Sequence, residues 1–434
     1  MRKFLIRRKP GWLLKAIAGA PVPVLGAERF AAREPDRPEA RDEHGVSPLV
    51  EPVVGVPRGA RRGPLDGDVV IKDQIDVAGC PTGVGCANGG AVAAVDAEVV
   101  ARIVAGGGRI IGKAKMTELG IDGLGVVMHY PTPVNPRAPG YSPGGSSTGT
   151  AVAVAAGLAR YGVGGDGLGS IRIPAAFCGL YGLKTSREGL PRAGICSPVR
   201  TLDAIGPITR TVEDCATLWH VMAGEPVVKP VAWVPERVGV PIGRTRVARA
   251  VATAFDRALA ALGVVGERVE LPGLHTATFL GGMIGAHELA TGPMAAMATS
   301  RAAKMSLAVG GALSTDDAQV LYRRRDALRA ATNRVLERTP ILALPTTAIP
   351  PPAMTRALVG GGQELLLLRA LGAFTPIANL ADLPSIAAPC GIDERGRPLS
   401  IMFIGTRGSE GELLRIAAAL EETKLATKPV GPRA

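Results

Sequence analysis

The chain has 434 residues, of which 47% are hydrophobic and 20% charged, and these values predict a globular protein and exclude a largely disordered one. Its formal net charge is +12, but residues 1–62 carry 13 Lys or Arg against 7 Asp or Glu, so about half of the excess lies in one terminal arm. Aromatic residues make up only 3% and do not alternate with basic ones, so no nucleic-acid partner is expected.

Residues 1–65 are predicted to form an N-terminal extension, a helix followed by an irregular lead-in rich in Pro, Arg and acidic residues. The basic start also suits a cleaved export signal, but Lys15 interrupts its apolar stretch. No run approaches the roughly 18 apolar residues of a membrane span. The six cysteines form neither a disulfide framework nor a zinc-binding pattern. We therefore expect a cytoplasmic protein without a metal or a cofactor, with export as the alternative.

Residues 66–434 are predicted to form one large α/β domain. Residues 68–72 (DVVIK) are rich in β-branched side chains and predict a buried strand. A helix is expected from Asp96, which would act as its N-cap, to the glycines that begin at Gly106, and residues 109–114 predict a second strand. The order strand–helix–strand favours parallel strands joined by a crossover helix.

The remaining elements follow the same alternation. Residues 151–160 are small and apolar and predict a buried helix, and residues 161–165 predict a strand or turn. Further helices are expected at 211–223, 247–262 and 316–338 and from about Ser409, with further strands at 340–345, 385–389 and 399–405.

Two short motifs in the glycine-rich centre are weak. Gly162 to Gly167 fit G-x-G-x-x-G, but a dinucleotide site needs a helix directly afterwards, and Pro174 argues against one. Gly145 to Gly149 fit the G-x-S-x-G nucleophile elbow. That motif requires a preceding strand and a catalytic histidine, whereas the preceding residues, NPRAPGYSPGG, read as a loop.

Longer blocks are far more specific. The sequences GYSPGGSSTGTAVAVAAGL, GGDGLGSIRIPAAFCGLYGLKTS and TLDAIGPITRTVEDCA stand in order, preceded by VVIKDQIDVAGCPTGVG and followed by TPILALPTTAIPPP, NLADLPSIAAPCG and GRPLSIMFIG. Together they resemble the amidase signature family over about residues 66 to 425. The resemblance implies a mixed, twisted β-sheet with helices on both faces, and an amidohydrolase that acts on carbon–nitrogen bonds other than peptide bonds.

The resemblance also implies catalytic residues. It places the family's lysine at Lys72, its relay serine, with a cis peptide bond before it, at Ser146, and its nucleophile 24 residues later at Ser170. Such a serine is a weak nucleophile until a base removes its proton, and a lysine can be that base when burial keeps it neutral. Ser146 would pass the proton from Ser170 to Lys72 and later to the leaving amine.

Gly167, Leu168 and Gly169 form the loop before Ser170. Together with Ser147 of the earlier GGSS segment, they are expected to stabilise the oxyanion and bind the substrate. Leu168 stands where the family usually has glycine. We therefore expect that a positive φ at this residue would be energetically costly and that the leucine side chain crowds the acyl site. Asp166 and Arg172 flank the nucleophile and are predicted to form an ion pair that braces the loop.

The leading functional prediction is a cofactor-independent hydrolase of a small-molecule amide. The alternatives are an amide-forming acyltransferase of small-molecule biosynthesis, the amidase subunit of a tRNA-dependent amidotransferase, and a non-catalytic binding protein; a homodimer is left open. Segment 274–313 is expected to line the acyl side as an adaptable apolar wall, or else to be ordinary helix packing. Its methionines are Met283, Met294, Met297 and Met305.

Overall fold

The computed structural model describes residues 47, 49–50, 63–87, 89–242, 246–360 and 365–427. Strand β1 (Asp68–Lys72) forms where predicted, with Val69, Val70 and Ile71 wholly buried. Helix α1 (Glu98–Ala105) and strand β2 (Arg109–Ala114) follow, and β2 pairs with β1 in parallel. The predicted crossover unit is therefore confirmed.

Within the described residues, ten strands form one mixed sheet in the order β2-β1-β3-β5-β4-β9-β10-β8-β6-β7. The strands at both ends of this order pair in parallel, whereas the central ones, from β3 to β8, pair antiparallel. The remaining strands are β3 (Tyr161–Asp166), β4 (Tyr181–Lys184), β5 (Ala204–Thr209), β6 (Arg237–Ile242), β7 (Val265–Glu270), β8 (Ile341–Pro345), β9 (Ser385–Ile392) and β10 (Pro398–Gly405).

Helices cover both faces of the sheet, and the alternation along β1 shows how. Val69 and Ile71 pack in a cluster with α1, whereas Val70 belongs to a second cluster with the small residues of α2. The other helices are α2 (Thr148–Ala155), α3 (Arg172–Phe177), α4 (Val212–Ala223), α5 (Arg249–Leu262), α6 (Leu274–Thr291), α7 (Arg301–Gly311), α8 (Thr315–Leu336), α9 (Arg356–Val359), α10 (Leu365–Leu371), α11 (Pro376–Ala381) and α12 (Glu410–Glu422). The predicted single α/β domain with a mixed sheet is confirmed.

Two local predictions are wrong. Asp96 does not cap α1; Ala97 occupies the cap, and Asp96 accepts a hydrogen bond from the Ala78 N–H instead. A helix does follow the glycines of β3, because Pro174 lies in the first turn of α3, where no intrahelical N–H donor is required. Strands β4, β5, β6 and β7 were not predicted.

The predicted N-terminal helix lies outside the described residues. Within them, no helix is long and apolar enough to cross a membrane. The same residues contain no group of three or more His, Cys, Asp or Glu side chains that could hold a metal ion.

Candidate active site

Lys72 ends β1 in the interior of the protein, with 1% of its surface exposed. Its Nζ donates hydrogen bonds to Ser146 Oγ and to the Gly165 carbonyl oxygen, both at 2.8 Å. Burial lowers the pKa of Lys72 to about 8, against the opposing charges of Asp203 and Asp166. Lys72 therefore loses its proton at a lower pH than an exposed lysine does, as a lysine base requires.

Ser146 lies in the turn that leads into α2. The Gly145–Ser146 peptide bond is cis, as the resemblance implied. Gly145 has to be glycine because a Cβ there would lie 2.5 Å from the Asp122 carbonyl oxygen. The turn brings the Ser146 hydroxyl to Lys72 across 74 positions of sequence.

Ser147 connects this turn to the nucleophile loop. Its N–H donates to the Ser170 carbonyl oxygen at 3.2 Å, and its hydroxyl donates to the Gly165 carbonyl oxygen, also at 3.2 Å. Its side chain is wholly buried. Because its polar groups are engaged inside the protein, this geometry argues against substrate binding by Ser147.

The loop from Asp166 to Arg172 is organised around the Asp166 carboxylate. This group accepts hydrogen bonds from the N–H of Gly169 at 2.6 Å and of Ile171 at 3.0 Å. The Arg172 guanidinium donates to both carboxylate oxygens at 2.9 Å, and both side chains are fully buried. Although burial alone would raise it, the Arg172 charge and these bonds hold the pKa of Asp166 well below its ordinary value. The predicted bracing ion pair is confirmed.

Helix α11 and the turn before it extend this brace. Arg172 also donates to the Thr375 carbonyl oxygen at 2.8 Å and to Asn379 Oδ1 at 2.6 Å. Asn379 in turn donates from Nδ2 to the Asp166 carbonyl oxygen at 2.7 Å. The loop is thereby fixed to a segment about 200 positions further along the chain.

The positive φ of the loop falls on Gly169, at +135°, and not on Leu168. A Cβ at position 169 would lie 2.5 Å from Thr375 Oγ1, so glycine is required there. Leucine at 168 therefore causes no backbone strain, and that expectation is wrong. The Gly169 N–H donates to Asp166, which argues against Gly169 as an oxyanion donor. The N–H groups of Gly167, Leu168 and Ser170 have no acceptor among the described residues.

Ser170, Ser146 and Lys72 all line one cavity of about 660 Å³. The Ser170 hydroxyl forms no hydrogen bond with Ser146 or another described residue. Gly167 and Leu168 line the same cavity, whereas Gly169 and Ser147 do not. The geometry thus places a serine hydroxyl, a second serine paired with a buried lysine, and unpaired backbone N–H groups around one space, which is an arrangement suited to acyl transfer.

Comparisons with known proteins agree with this geometry. The family model described as Amidase matches residues 56–271 and 288–414. The chain belongs to the amidase signature family. It is therefore an amidohydrolase that acts on carbon–nitrogen bonds other than peptide bonds.

Relatives of the amidase cover nearly the whole chain. It is 31% identical to the protein AmiA2 of Mycobacterium tuberculosis over 92% of this chain and 86% of that one. It is 32% identical to a glutamyl-tRNA(Gln) amidotransferase subunit of Natronomonas pharaonis over 82% of this chain and 96% of that one. The crystal structure of the corresponding subunit from Thermotoga maritima is 26% identical, covers 88% of each chain and has a TM-score of 0.73.

Two cavity residues of the amidase were missed in the sequence. Gln74 Nε2 donates to Asp203 Oδ2 at 2.9 Å, and both side chains are buried where they line the cavity with Lys72. Burial raises the pKa of Asp203, although Lys72 and Arg192 act in the opposite direction. Both residues lie inside the family blocks quoted above, so the blocks themselves were the signal that could have identified them.

Another part of the cavity lining is the helical wall, which we define as α6 and α7. Its side chains in the cavity include Phe279, Met283, Leu289 and Val309, so segment 274–313 does line the cavity as predicted. The methionines do not all take part. Only Met283 reaches the cavity, whereas Met294 and Met297 pack in a separate cluster and Met305 is exposed.

Proposed function

We propose that the amidase hydrolyses small-molecule carboxamides through an acyl-enzyme on Ser170, with Lys72 as the base and Ser146 as the proton relay. The observation that carries the proposal is the 2.8 Å hydrogen bond between Lys72 Nζ and Ser146 Oγ, buried at the cavity that Ser170 lines. No metal or cofactor is assigned a role in these steps.

In the first half-reaction, neutral Lys72 takes the Ser146 proton while Ser146 takes the proton of Ser170. The Ser170 oxygen attacks the carbonyl carbon, and the N–H groups of Gly167, Leu168 and Ser170 are available to stabilise the oxyanion. The proton then returns through Ser146 to the amide nitrogen, the C–N bond breaks and the amine leaves. Water, deprotonated along the same route, then cleaves the Ser170 ester and releases the acid.

The cavity favours a substrate with an apolar acyl group. Among its described lining residues, aliphatic side chains and glycines predominate, and Lys72, Asp203 and Arg369 are the charged side chains. Such a space suits an apolar acyl chain better than the charged α-carbon groups of glutamine. It therefore favours a free-standing amidase over a component of a tRNA-dependent amidotransferase.

Two alternatives remain testable in the same preparation. The similarity to amidotransferase subunits supports a partner protein, which would co-purify with this chain from its native source. An amide-forming acyltransferase would transfer the Ser170 acyl group to an added amine faster than to water. We propose a cytoplasmic location, consistent with a small-molecule amide as the substrate.

The nucleophile is tested by labelling with a fluorophosphonate followed by peptide mapping. Label should appear on Ser170, and Ser170→Ala should lose both labelling and turnover, the latter by about 10⁶-fold. Ser306→Ala removes another serine hydroxyl from the same cavity and should still be labelled. An adduct on any residue other than Ser170 would refute the assignment.

A further inference from the structure

Leu168 of the nucleophile loop and Gly281 of α6 are in direct contact. A Cβ built on Gly281 would lie 2.4 Å from Leu168 Cδ2, and its other near neighbours are also atoms of the Leu168 side chain. Gly281 therefore provides a notch in the helix surface that accommodates the leucine. The two positions lie 113 residues apart in the sequence.

The notch belongs to one face of α6. A Cβ on Gly285, four residues later, would meet only Val199, which also packs over Gly167 of the nucleophile loop. A Cβ on Gly282 would meet nothing within 4 Å. The α6 backbone thus approaches the nucleophile loop through two apolar side chains, Leu168 and Val199, and both of them line the cavity.

Resting on the proposed function, we propose that Leu168, held in the Gly281 notch, sets the width of the acyl site beside Ser170. The amidase then selects acyl groups that are unbranched at the carbon next to the carbonyl. Leu168 precedes the nucleophile by two residues, contacts the helical wall at Gly281 and lines the same cavity as Ser170. An acyl chain bound to Ser170 must pass this side chain.

The backbone at Leu168 is fixed, so a change at the notch moves the side chain. Thr375 Oγ1 donates to the Leu168 carbonyl oxygen at 2.7 Å, and the next N–H is bound by Asp166. A methyl group at position 281 would overlap the end of the leucine side chain, which is flexible and borders open cavity. Gly281→Ala should therefore displace Leu168 into the acyl site and narrow it.

The test uses 4-nitrophenyl butyrate and 4-nitrophenyl 2-methylbutyrate, which differ by one methyl group next to the carbonyl. The ratio of their kcat/KM values should favour butyrate in the wild type. Leu168→Ala should reduce that preference by about tenfold, and Gly281→Ala should increase it by about tenfold, as one methyl group in a close-fitting site typically does. In Leu168→Ala/Gly281→Ala the ratio should equal that of Leu168→Ala, because the methyl group at 281 then displaces nothing.

Gly311→Ala in α7, where a Cβ would meet nothing within 4 Å, controls for replacing a helical glycine and should leave the ratio unchanged. Equal effects of Gly281→Ala with and without Leu168 would overturn the proposal, as would an unchanged ratio in Leu168→Ala. Fluorophosphonate labelling of each variant separates the two levels of inference. If Ser170 is labelled and the kcat/KM ratios are unchanged, only the selection by Leu168 is refuted. If the wild-type protein carries no label on Ser170, the acyl-enzyme is refuted, and this inference with it.

Discussion

The two sides of the cavity are held in place by different kinds of interaction. One side, which we call the catalytic side, is the loop from Asp166 to Arg172 with its hydrogen-bond partners. There, Asp166, Arg172 and Asn379 are fully buried and joined by directional hydrogen bonds. On the side of the helical wall, α6 and α7 pack through glycines and apolar side chains, and a Cβ on Gly310 would lie only 1.9 Å from the Ala286 carbonyl oxygen. Hydrogen bonds fix reacting atoms to within tenths of an ångström, whereas close packing fixes the shape of the space that the substrate fills.

The difference indicates which changes each side tolerates. An unpaired charge or a lost hydrogen bond on the catalytic side leaves a buried polar group unsatisfied, and such a group lowers the free energy of unfolding. A changed side chain on the helical wall alters the volume of the cavity. It can therefore change the substrate selectivity without changing the reacting groups. The following predictions test this contrast, from the largest expected effect to the smallest.

Replacing the proposed base should have the largest effect of these. Lys72→Met should lower kcat/KM by about 10²–10⁴-fold, and Lys72→Arg should be nearly as inactive because guanidinium stays protonated. Lys184 provides a matched control, since it is equally buried and its pKa is likewise lowered to about 8 by burial, but it does not line the cavity. The Lys184→Met variant should retain its activity, provided that it folds. Near-wild-type turnover by Lys72→Arg would show that Lys72 is not the base.

Breaking the brace should mainly affect stability. Arg172→Leu leaves the Asp166 carboxylate buried without its partner, which should lower the free energy of unfolding by about 3–5 kcal/mol. The control is Arg109→Leu, which breaks a partly exposed pair with Asp68 and should have a much smaller effect. Urea unfolding followed by circular dichroism measures both. Equal losses in the two variants would mean that burial of the Asp166 pair is unimportant.

On the helical wall, Gly310→Ala should separate α6 from α7 and lower the free energy of unfolding by about 1–3 kcal/mol. Gly311→Ala, one residue along the same helix, meets nothing within 4 Å and should be neutral or slightly stabilising. Thermal unfolding of the pair measures the difference. A stable Gly310→Ala protein with an unchanged cavity would contradict the close-packed description of this wall.

The smallest effect concerns pH. Burial lowers the pKa of Lys72 to about 8, and the proposed mechanism requires the neutral form, so activity should be lost as pH falls below that value. The value of kcat/KM should fall by about tenfold per pH unit below about 8 and level off above it. Asp203 and Asp166 both favour the protonated lysine, so Asp203→Asn should move the inflection to lower pH. An inflection that stays in place would exclude Asp203 as a neighbour that influences the base.

The sequence was sufficient where local composition and structure agree. Three consecutive β-branched residues predicted β1, and the ordered blocks predicted the contact of Lys72 with Ser146. Strands β6 and β7 were missed because Pro241 and the charged run GERVE lack the alternation of a typical strand.

The errors at the site have a different origin. They concern which acceptor forms a hydrogen bond with a given N–H, and which side chain packs in the space beside a given glycine. Spacing indicates that Gly169 lies beside the nucleophile, but only the folded loop shows that Asp166 takes its N–H. Likewise, nothing near Leu168 in the sequence indicates the Gly281 notch, because the contact joins segments that are distant along the chain.

The Gly165 carbonyl oxygen has a consequence for the whole catalytic cycle. A carbonyl oxygen can only accept, so its hydrogen bond with Lys72 Nζ persists whether the amine carries two protons or three. With one N–H committed to Gly165, the neutral amine can turn its lone pair to the Ser146 hydroxyl, and the ammonium form can donate along the same line. In the proposed mechanism, Lys72 therefore changes its protonation state without changing its rotamer.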